Sequence, residues 1–223
     1  FRQERLERAG PEVERLLTLL GKPVTAALDL CCGPGRHAIE LARRGIRVTG
    51  VDRTAPYLEM AQAAAREQGV EVEWVLADAR EFARAAAYDL VLSMFTSFGY
   101  SEDPNDDSRT LANVLASLRP GGTLVMDMLG KEVVAREFRA TTSSRAPDGS
   151  LLVEIHEICD GWQRIQNDWM LIRDGRVKSF SFSLRLYSGM EIASLLQAAG
   201  FDNVRLFGDL EGSDYGPAAR RLD

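Results

Sequence analysis

Two glycines and one acidic residue have a spacing that indicates a ligand-binding site. The stretch ALDLCCGPGRHAIELARRG (26–45) joins a short apolar run to a helical pattern, with Gly33 and Gly35 at the joint. Glycine permits a tight turn there and lets a ligand approach backbone that a Cβ would block. The helix begins near Arg36, and its free N–H groups favour an anion. Asp52 follows Gly33 by 19 residues, near the offset at which an acid binds ribose hydroxyls, so the pattern predicts a site for an adenosine-type ligand.

The glycine loop by itself leaves the identity of that ligand open. Residues 33–38 read Gly-Pro-Gly-Arg-His-Ala, which also satisfies the G-x-G-x-x-G/A pattern of dinucleotide sites. A single match of this kind is a weak signal. A nicotinamide dinucleotide and other adenosine compounds are therefore all compatible with these residues.

The elements that must position these residues follow an alternating order through the first 130 residues. Short apolar runs predict strands within the stretches 25–32, 46–52, 70–79, 86–100 and 122–129. Helical patterns, each ending at a glycine, lie between or before them at 5–21, 36–45, 55–69 and 106–122. This order indicates an α/β fold with a doubly wound, mostly parallel sheet, in which ligands bind beyond the carboxyl ends of the strands.

The pattern changes after residue 132. Three antiparallel strands are predicted within 151–188, with turns at Asp160-Gly161 and Asp174-Gly175, and an Asp-Gly pair is a strong hairpin signal. A helix and a strand follow at 189–200 and 201–210.

These patterns divide the chain into three parts. We expect an α/β core with an N-terminal helix, an antiparallel β insertion after the fifth strand that covers the substrate site, and a C-terminal helix and strand that return to the core sheet. The corresponding boundaries are 1–132, 133–187 and 188–223.

Bulk composition narrows the partners. The 223 residues carry a net charge of −6, so no basic surface suggests a nucleic acid or an anionic membrane. No apolar stretch approaches the ~20 residues that span a bilayer, and the charged opening FRQERLERAG is unlike a signal peptide. Three cysteines and two histidines give neither a disulfide framework nor a metal cluster. We expect reduced thiols, a cytoplasmic location and no metal, and these features do not indicate an oligomeric state.

Several stretches, in order along the chain, carry a resemblance to a known family. They are LDLCCGPG (28–35), VTGVD (48–52), VLADAREF (75–82), YDLVLSMF (88–95) and LRPGGTLVMDM (118–128). On these motifs the chain, from about residue 24 to its end, resembles the class I S-adenosylmethionine-dependent methyltransferases of the small-molecule type. One departure is Cys31, which stands where the family usually has its first glycine. The resemblance implies a Rossmann-like methyltransferase fold with a seven-stranded sheet, and S-adenosyl-L-methionine as the cofactor.

The same resemblance implies roles for individual residues toward the cofactor. Asp52 would bind the ribose, Asp78 the adenine amino group, and Asp29 the methionine ammonium. Arg36 is also compatible with a surface position, Tyr57 with helix packing and Met94 with the core. The complete expected set is Asp29, Cys31, Gly33, Gly35, Arg36, Asp52, Arg53, Tyr57, Asp78, Ala79 and Met94.

The acceptor side is less defined by the sequence. Methyl transfer is an in-line displacement that mainly requires alignment and exclusion of water, and a general base is needed only for a protonated acceptor. No catalytic residue is therefore assigned. His156 is compatible with a base or with an exposed strand residue. The residues expected at the acceptor are Phe95, Phe98, Tyr100, His156 and Tyr215.

The function expected on these grounds is methyl transfer from S-adenosylmethionine to nitrogen or oxygen of a small molecule. One alternative is an NAD-dependent oxidoreductase that uses the same loop, although the chain offers no obvious acid or base for hydride transfer. A second alternative is a module that senses the cofactor or binds a partner without turnover.

Overall fold

A five-stranded parallel sheet forms the centre of the computed structural model, which describes residues 3–216 and 219–222, with side chains from residue 8 onward. The strand order is β3-β2-β1-β4-β5. The strands are β1 (Ala26–Leu30), β2 (Arg47–Asp52), β3 (Glu73–Leu76), β4 (Tyr88–Ser93) and β5 (Leu118–Met126). The chain reverses its direction of travel across the sheet after β3, so β1 and β4 lie side by side, and this is the position at which open α/β sheets bind ligands.

Helices cover both faces of this sheet. They are α1 (Gln3–Leu20), α2 (Arg36–Arg43), α3 (Ala55–Glu67) and α4 (Pro104–Ser117). Every residue of β1 is buried, because successive side chains point to opposite faces and each face has its own cover. On one face Ala27 packs with Val13 and Leu16 of α1, and on the other Leu28 packs with Val114 of α4. The doubly wound α/β architecture is confirmed.

A four-stranded antiparallel sheet follows the first sheet. After α5 (Lys131–Glu137) come β6 (Thr141–Arg145), β7 (Leu151–Cys159), β8 (Arg164–Arg173) and β9 (Arg176–Arg185), paired in that order. The Asp174-Gly175 pair joins β8 to β9 with positive φ at both residues, as a two-residue hairpin requires. The sequence predicts only three of these strands. β6 reads TTSSR, a polar stretch without an apolar pattern.

The chain returns to the first sheet through α6 (Gly189–Ala198). The described residues show five strands in that sheet, and the expected sixth and seventh are reduced to an antiparallel bridge between Met128 and Leu222. The strand predicted at 201–210 is wrong: Asn203, with φ of 53°, interrupts the extended run, and only Phe207 makes a bridge there. Within the described part of the chain, no helix combines the length and apolar character needed to cross a membrane.

Candidate active site

A cavity of about 1210 Å³ lies between the carboxyl ends of the parallel strands and the second sheet. It is lined by fourteen of the sixteen residues expected from the sequence, and only Gly35 and Tyr215 lie elsewhere. The fourteen are Asp29, Cys31, Gly33, Arg36, Asp52, Arg53, Tyr57, Asp78, Ala79, Met94, Phe95, Phe98, Tyr100 and His156. The structure therefore brings residues from both halves of the chain to one space.

The turn between β1 and α2 contains two glycines with different surroundings. A Cβ on Gly33 would meet no atom within 4 Å, so this backbone is open toward the cavity. A Cβ on Gly35 would lie 2.4 Å from the Trp74 ring, because the indole fills the space beside it. Gly35 is therefore required for packing at the start of α2, and its expected place at the ligand is not supported. Cys31 has φ of 60°, so a cysteine here adopts the conformation that glycine favours.

Asp52 is held at the end of β2 by two backbone amides. Its Oδ2 accepts from the Gly33 N–H and its Oδ1 from the Thr54 N–H, both at 2.8 Å. The side chain is buried, so these bonds fix both its position and its orientation. A carboxylate oxygen has about two acceptor positions, so each oxygen keeps capacity for one more donor. Two such oxygens side by side suit a pair of neighbouring hydroxyl groups.

Asp78 lies after β3, where it forms an ion pair with Arg80. The Arg80 Nε and Nη2 atoms donate to the two carboxylate oxygens at 2.9 and 2.8 Å, and Nη1 donates to Asp106 at 2.8 Å. The hydrogen bonds from Arg80 lower the pKa of Asp78 to about 2. Asp78 is therefore ionised at neutral pH, with part of its acceptor capacity used by the arginine.

A buried group of charges lies under the β1–α2 turn. Asp29 accepts from the Ala38 N–H at 3.1 Å, and burial raises the pKa of Asp29. Arg36 is buried and pairs with Glu12 of α1, which also contacts His37 Nε2 at 2.9 Å. The surface position considered for Arg36 is wrong, because α1 covers the start of α2 and supplies this carboxylate.

The loop after β4 is fixed by residues far along the chain. Phe95 and Thr96 both have positive φ, and Asp127 accepts from the Phe95 N–H at 3.1 Å. Arg221 pairs with Asp127, donates to Thr96 Oγ1 at 3.0 Å, and lies with its guanidinium 5.2 Å from the Phe95 ring centre. Arg36 lies 5.6 Å from the same ring centre. Phe95 thus projects into the cavity between two arginines, an arrangement with no signal in the sequence.

The second sheet contributes the opposite wall through alternate residues. Tyr100 and Phe182 lie 5.9 Å apart between ring centres, and Trp169 meets Phe182 edge-on at 5.0 Å. Trp169 Nε1 is buried without a hydrogen-bond partner among the described residues. On the same face, His156 Nδ1 lies 2.8 Å from Asn167 Oδ1.

The structure also bears on the expected role of Tyr215 and on the reactivity of the cysteines. The Tyr215 hydroxyl donates to Glu132 at 2.7 Å, beside α5 and outside the main cavity, so its expected place at the acceptor is not supported. Burial raises the pKa of Cys31 to about 12 and raises that of Cys32 as well, so neither thiol is a ready nucleophile. Among the described residues, no group of three or more His, Cys, Asp or Glu side chains is arranged to hold a metal ion.

Comparisons with known proteins find similarity in part of the sequence and in the fold. Residues 27–122 match the family described as "Methyltransferase domain". The ubiquinone biosynthesis O-methyltransferase of Escherichia coli is 35% identical over 126 residues, which cover 56% of this chain and 50% of that protein. The chain thus spans about half the length of this curated relative.

Two solved structures share the fold over nearly the whole chain. An S-adenosylmethionine-dependent methyltransferase from Clostridium acetobutylicum has a TM-score of 0.84 at 16% identity, covering 97% of this chain and 89% of that one. CalS10 of Micromonospora echinaspora, an amino pentose methyltransferase with bound S-adenosylmethionine, has a TM-score of 0.68 at 21% identity, covering 97% and 88%. At such identities the likeness shows the fold. The chain thus carries a methyltransferase-domain match over residues 27–122 and has the fold of known S-adenosylmethionine-dependent methyltransferases.

Proposed function

We propose that this protein transfers a methyl group from S-adenosylmethionine to a nitrogen or oxygen atom of a small molecule. The observation that carries the proposal is the bond between Asp52 and Gly33 at 2.8 Å. It joins an oriented carboxylate to an open glycine turn, and both line a cavity that continues to the second sheet. Donor and acceptor thus have adjoining places in one space.

The residues of the first sheet fit the methyl donor. Asp52 has one free acceptor position on each oxygen for the ribose hydroxyls, and Asp78 with the Ala79 N–H adjoins it for the adenine. The open backbone at Gly33 is a surface that a side chain would fill. Asp29 is buried and lines the cavity, where an ammonium group would offset the cost of its charge. When bound, S-adenosylmethionine supplies a methyl group on a sulfonium, and a neutral thioether remains after transfer.

The size and lining of the cavity support a small acceptor. Its volume of about 1210 Å³ exceeds the roughly 300–1,000 Å³ of a typical single-ligand pocket, which leaves room for a second molecule beside the donor. Phe95, Phe98 and Tyr100 line the cavity from the segment after β4, and His156 lines it from β7 of the second sheet. We propose that residues 133–187 form the part of the chain that covers the acceptor.

The related proteins support the same class of acceptor. One is an O-methyltransferase of ubiquinone biosynthesis and another is an amino pentose methyltransferase. Oxygen and nitrogen acceptors both occur among them, so the proposal keeps both. A cytoplasmic location remains a prediction from the sequence.

Titration calorimetry with S-adenosylhomocysteine and with NAD tests the donor half. We expect micromolar binding of S-adenosylhomocysteine, about −8 kcal/mol, and none of NAD. Asp52→Asn replaces a charged acceptor by a neutral one, which we expect to weaken binding by about 10–100-fold, because hydrogen bonds to charged groups contribute roughly 1.5–3 kcal/mol. The matched control is Asp89→Asn. Asp89 accepts from the Thr25 and Ala26 backbone at the opposite edge of the sheet, so this change should leave affinity unaltered.

Incubation with methyl-labelled donor and a metabolite extract tests the transfer itself. We expect label in a small-molecule product, and about 10–100-fold less of it with Asp52→Asn when the donor concentration is below the dissociation constant of the wild-type protein. Binding of NAD but not of S-adenosylhomocysteine would support the oxidoreductase instead. Binding of S-adenosylhomocysteine without any labelled product would favour a sensing module.

A further inference from the structure

The feature that carries a further inference is the paired His156 and Asn167 on the inner face of the second sheet. The two residues are direct cross-strand partners on β7 and β8. Both line the cavity that contains Asp52 and Phe95. In the sequence His156 is compatible with an exposed strand residue, whereas the structure places it half-buried in the wall of the site.

Hydrogen bonding fixes which nitrogen of His156 carries the proton. Asn167 is buried, and its Nδ2 donates to the Ile165 carbonyl at 3.2 Å. The amide is therefore oriented with Oδ1 toward the imidazole, 2.8 Å from Nδ1. An amide oxygen only accepts, so Nδ1 must carry the hydrogen, and in the neutral ring Nε2 has the lone pair. Among the described residues no hydrogen-bond partner occupies Nε2, which leaves it available to a molecule in the cavity.

We propose that His156 Nε2 is the general base that removes a proton from the methyl acceptor, and that Asn167 is the residue that positions it. This proposal rests on the proposed methyl transfer. The proton of the acceptor O–H or N–H passes to the lone pair of Nε2, and the acceptor's electron pair forms the bond to the methyl carbon. The pair of the broken carbon–sulfur bond stays on sulfur. His156 becomes an imidazolium and afterwards releases the proton to water.

The proposal defines the chemical class of the acceptor. A base is useful only where the attacking atom bears a proton that must leave, as in a hydroxyl or an ammonium group. The acceptor is therefore an alcohol, a phenol or a protonated amine. Glu154, two residues earlier on the same face, is the rival base, but its Oε2 already accepts from Thr142 at 3.0 Å.

Nitrogen-15 NMR of the imidazoles tests the geometry without any acceptor. The chain has two histidines, so the spectrum of His156→Gln assigns the signals of His156 by difference. At a pH where the ring is neutral, we expect the tautomer protonated at Nδ1. Asn167→Asp should preserve this tautomer because it keeps an acceptor, whereas Asn167→Ala should shift the population toward protonation at Nε2. A wild-type ring protonated mainly at Nε2 would overturn the proposal.

Labelled methyl transfer to the extract tests the chemistry. His156→Gln should lower the rate by about 10²–10⁴-fold, the usual contribution of a general base, with S-adenosylhomocysteine affinity within twofold of wild type. The control is Glu157→Gln, the next residue on β7, which is exposed on the opposite face. If His156→Gln retains the wild-type rate, or if Glu154→Gln abolishes transfer while His156→Gln does not, the base is misassigned. If the wild-type protein does not bind S-adenosylhomocysteine at all, the proposed function itself is wrong.

Discussion

Replacing each of the two turn glycines by alanine should separate ligand binding from folding. Gly33 and Gly35 both have positive φ, at 54° and 77°, where an L side chain costs roughly 1–2 kcal/mol. At Gly33 the added methyl group meets open space, so this conformational cost is the whole cost to folding. At Gly35 the methyl would lie 2.4 Å from the Trp74 ring and 2.9 Å from the Ala61 Cβ, and overpacking of this kind adds about 1–3 kcal/mol.

The expected totals are roughly 1–2 kcal/mol for Gly33→Ala and roughly 2–5 kcal/mol for Gly35→Ala. A domain of this size loses about 2–4 °C of Tm per kcal/mol, so Gly35→Ala should melt at least about 4 °C lower than wild type. S-adenosylhomocysteine affinity should follow the opposite order, falling at least about tenfold for Gly33→Ala alone, since its methyl occupies the proposed ligand surface. Calorimetry and thermal unfolding measure both quantities. Equal Tm values for the two variants, or wild-type affinity in Gly33→Ala, would refute the reasoning.

Three more predictions concern the walls of the cavity and the loss of stability at low pH. Arg221→Ala should lower the free energy of unfolding by about 1–3 kcal/mol in urea titrations, because the buried Asp127 carboxylate loses its charged donor. Arg221→Lys should not restore the stacking on Phe95, because an ammonium group lacks the planar guanidinium. Trp169→Phe should leave the free energy of unfolding within about 1 kcal/mol of wild type, since the lost ring volume is offset by removal of an unpaired buried donor; a loss near the ~3–5 kcal/mol of a buried aromatic truncated to alanine would contradict this. The pKa of Asp78 is lowered to about 2 in the fold, so its ion pair stabilises above the ordinary carboxylate pKa and is lost as pH falls toward 2. Arg80→Gln should therefore reduce the loss of urea midpoint between pH 4 and pH 2, and an unchanged loss would show that Arg80 does not hold this carboxylate.

Local patterns were enough to predict the first sheet and its glycine turn. β1 is apolar apart from Asp29 because both faces are covered, and Asp52 is the last residue of a strand that is buried after its first position, so each has a signal within a few residues. The three strands β7, β8 and β9 were predictable from alternation and from the Asp174-Gly175 turn. β6 was not predictable from its own sequence, because its polar residues adopt strand conformation only through pairing with β7.

The contacts that shape the cavity depend on residues far apart in the sequence, which periodicity does not detect. Arg221 meets Asp127 across 94 positions, and Arg36 meets Glu12 across 24. Neither pair has a spacing that a helix or strand imposes. Asn167 is different. The tight turn after Cys159 pairs that residue with Arg164, and counting back along both strands sets His156 opposite Asn167. A register count finds this partner once the loop is known to hold four residues, whereas a two-residue turn at Asp160-Gly161 would set His156 opposite Ile165.

The two walls of the cavity belong to separate sheets, and the far wall is built from every second residue of β7 and β8. A change at one of these inward positions alters the lining without shifting the register, since hairpin register depends on the turn and on the backbone ladder. The part of the cavity that the first sheet forms, including Asp52, would keep its structure after such a change. Under the proposed function, acceptor preference can therefore diverge by substitution at a few alternate strand positions while the proposed nucleoside side stays intact. For an engineer, this makes the inner face of the second sheet a compact library target.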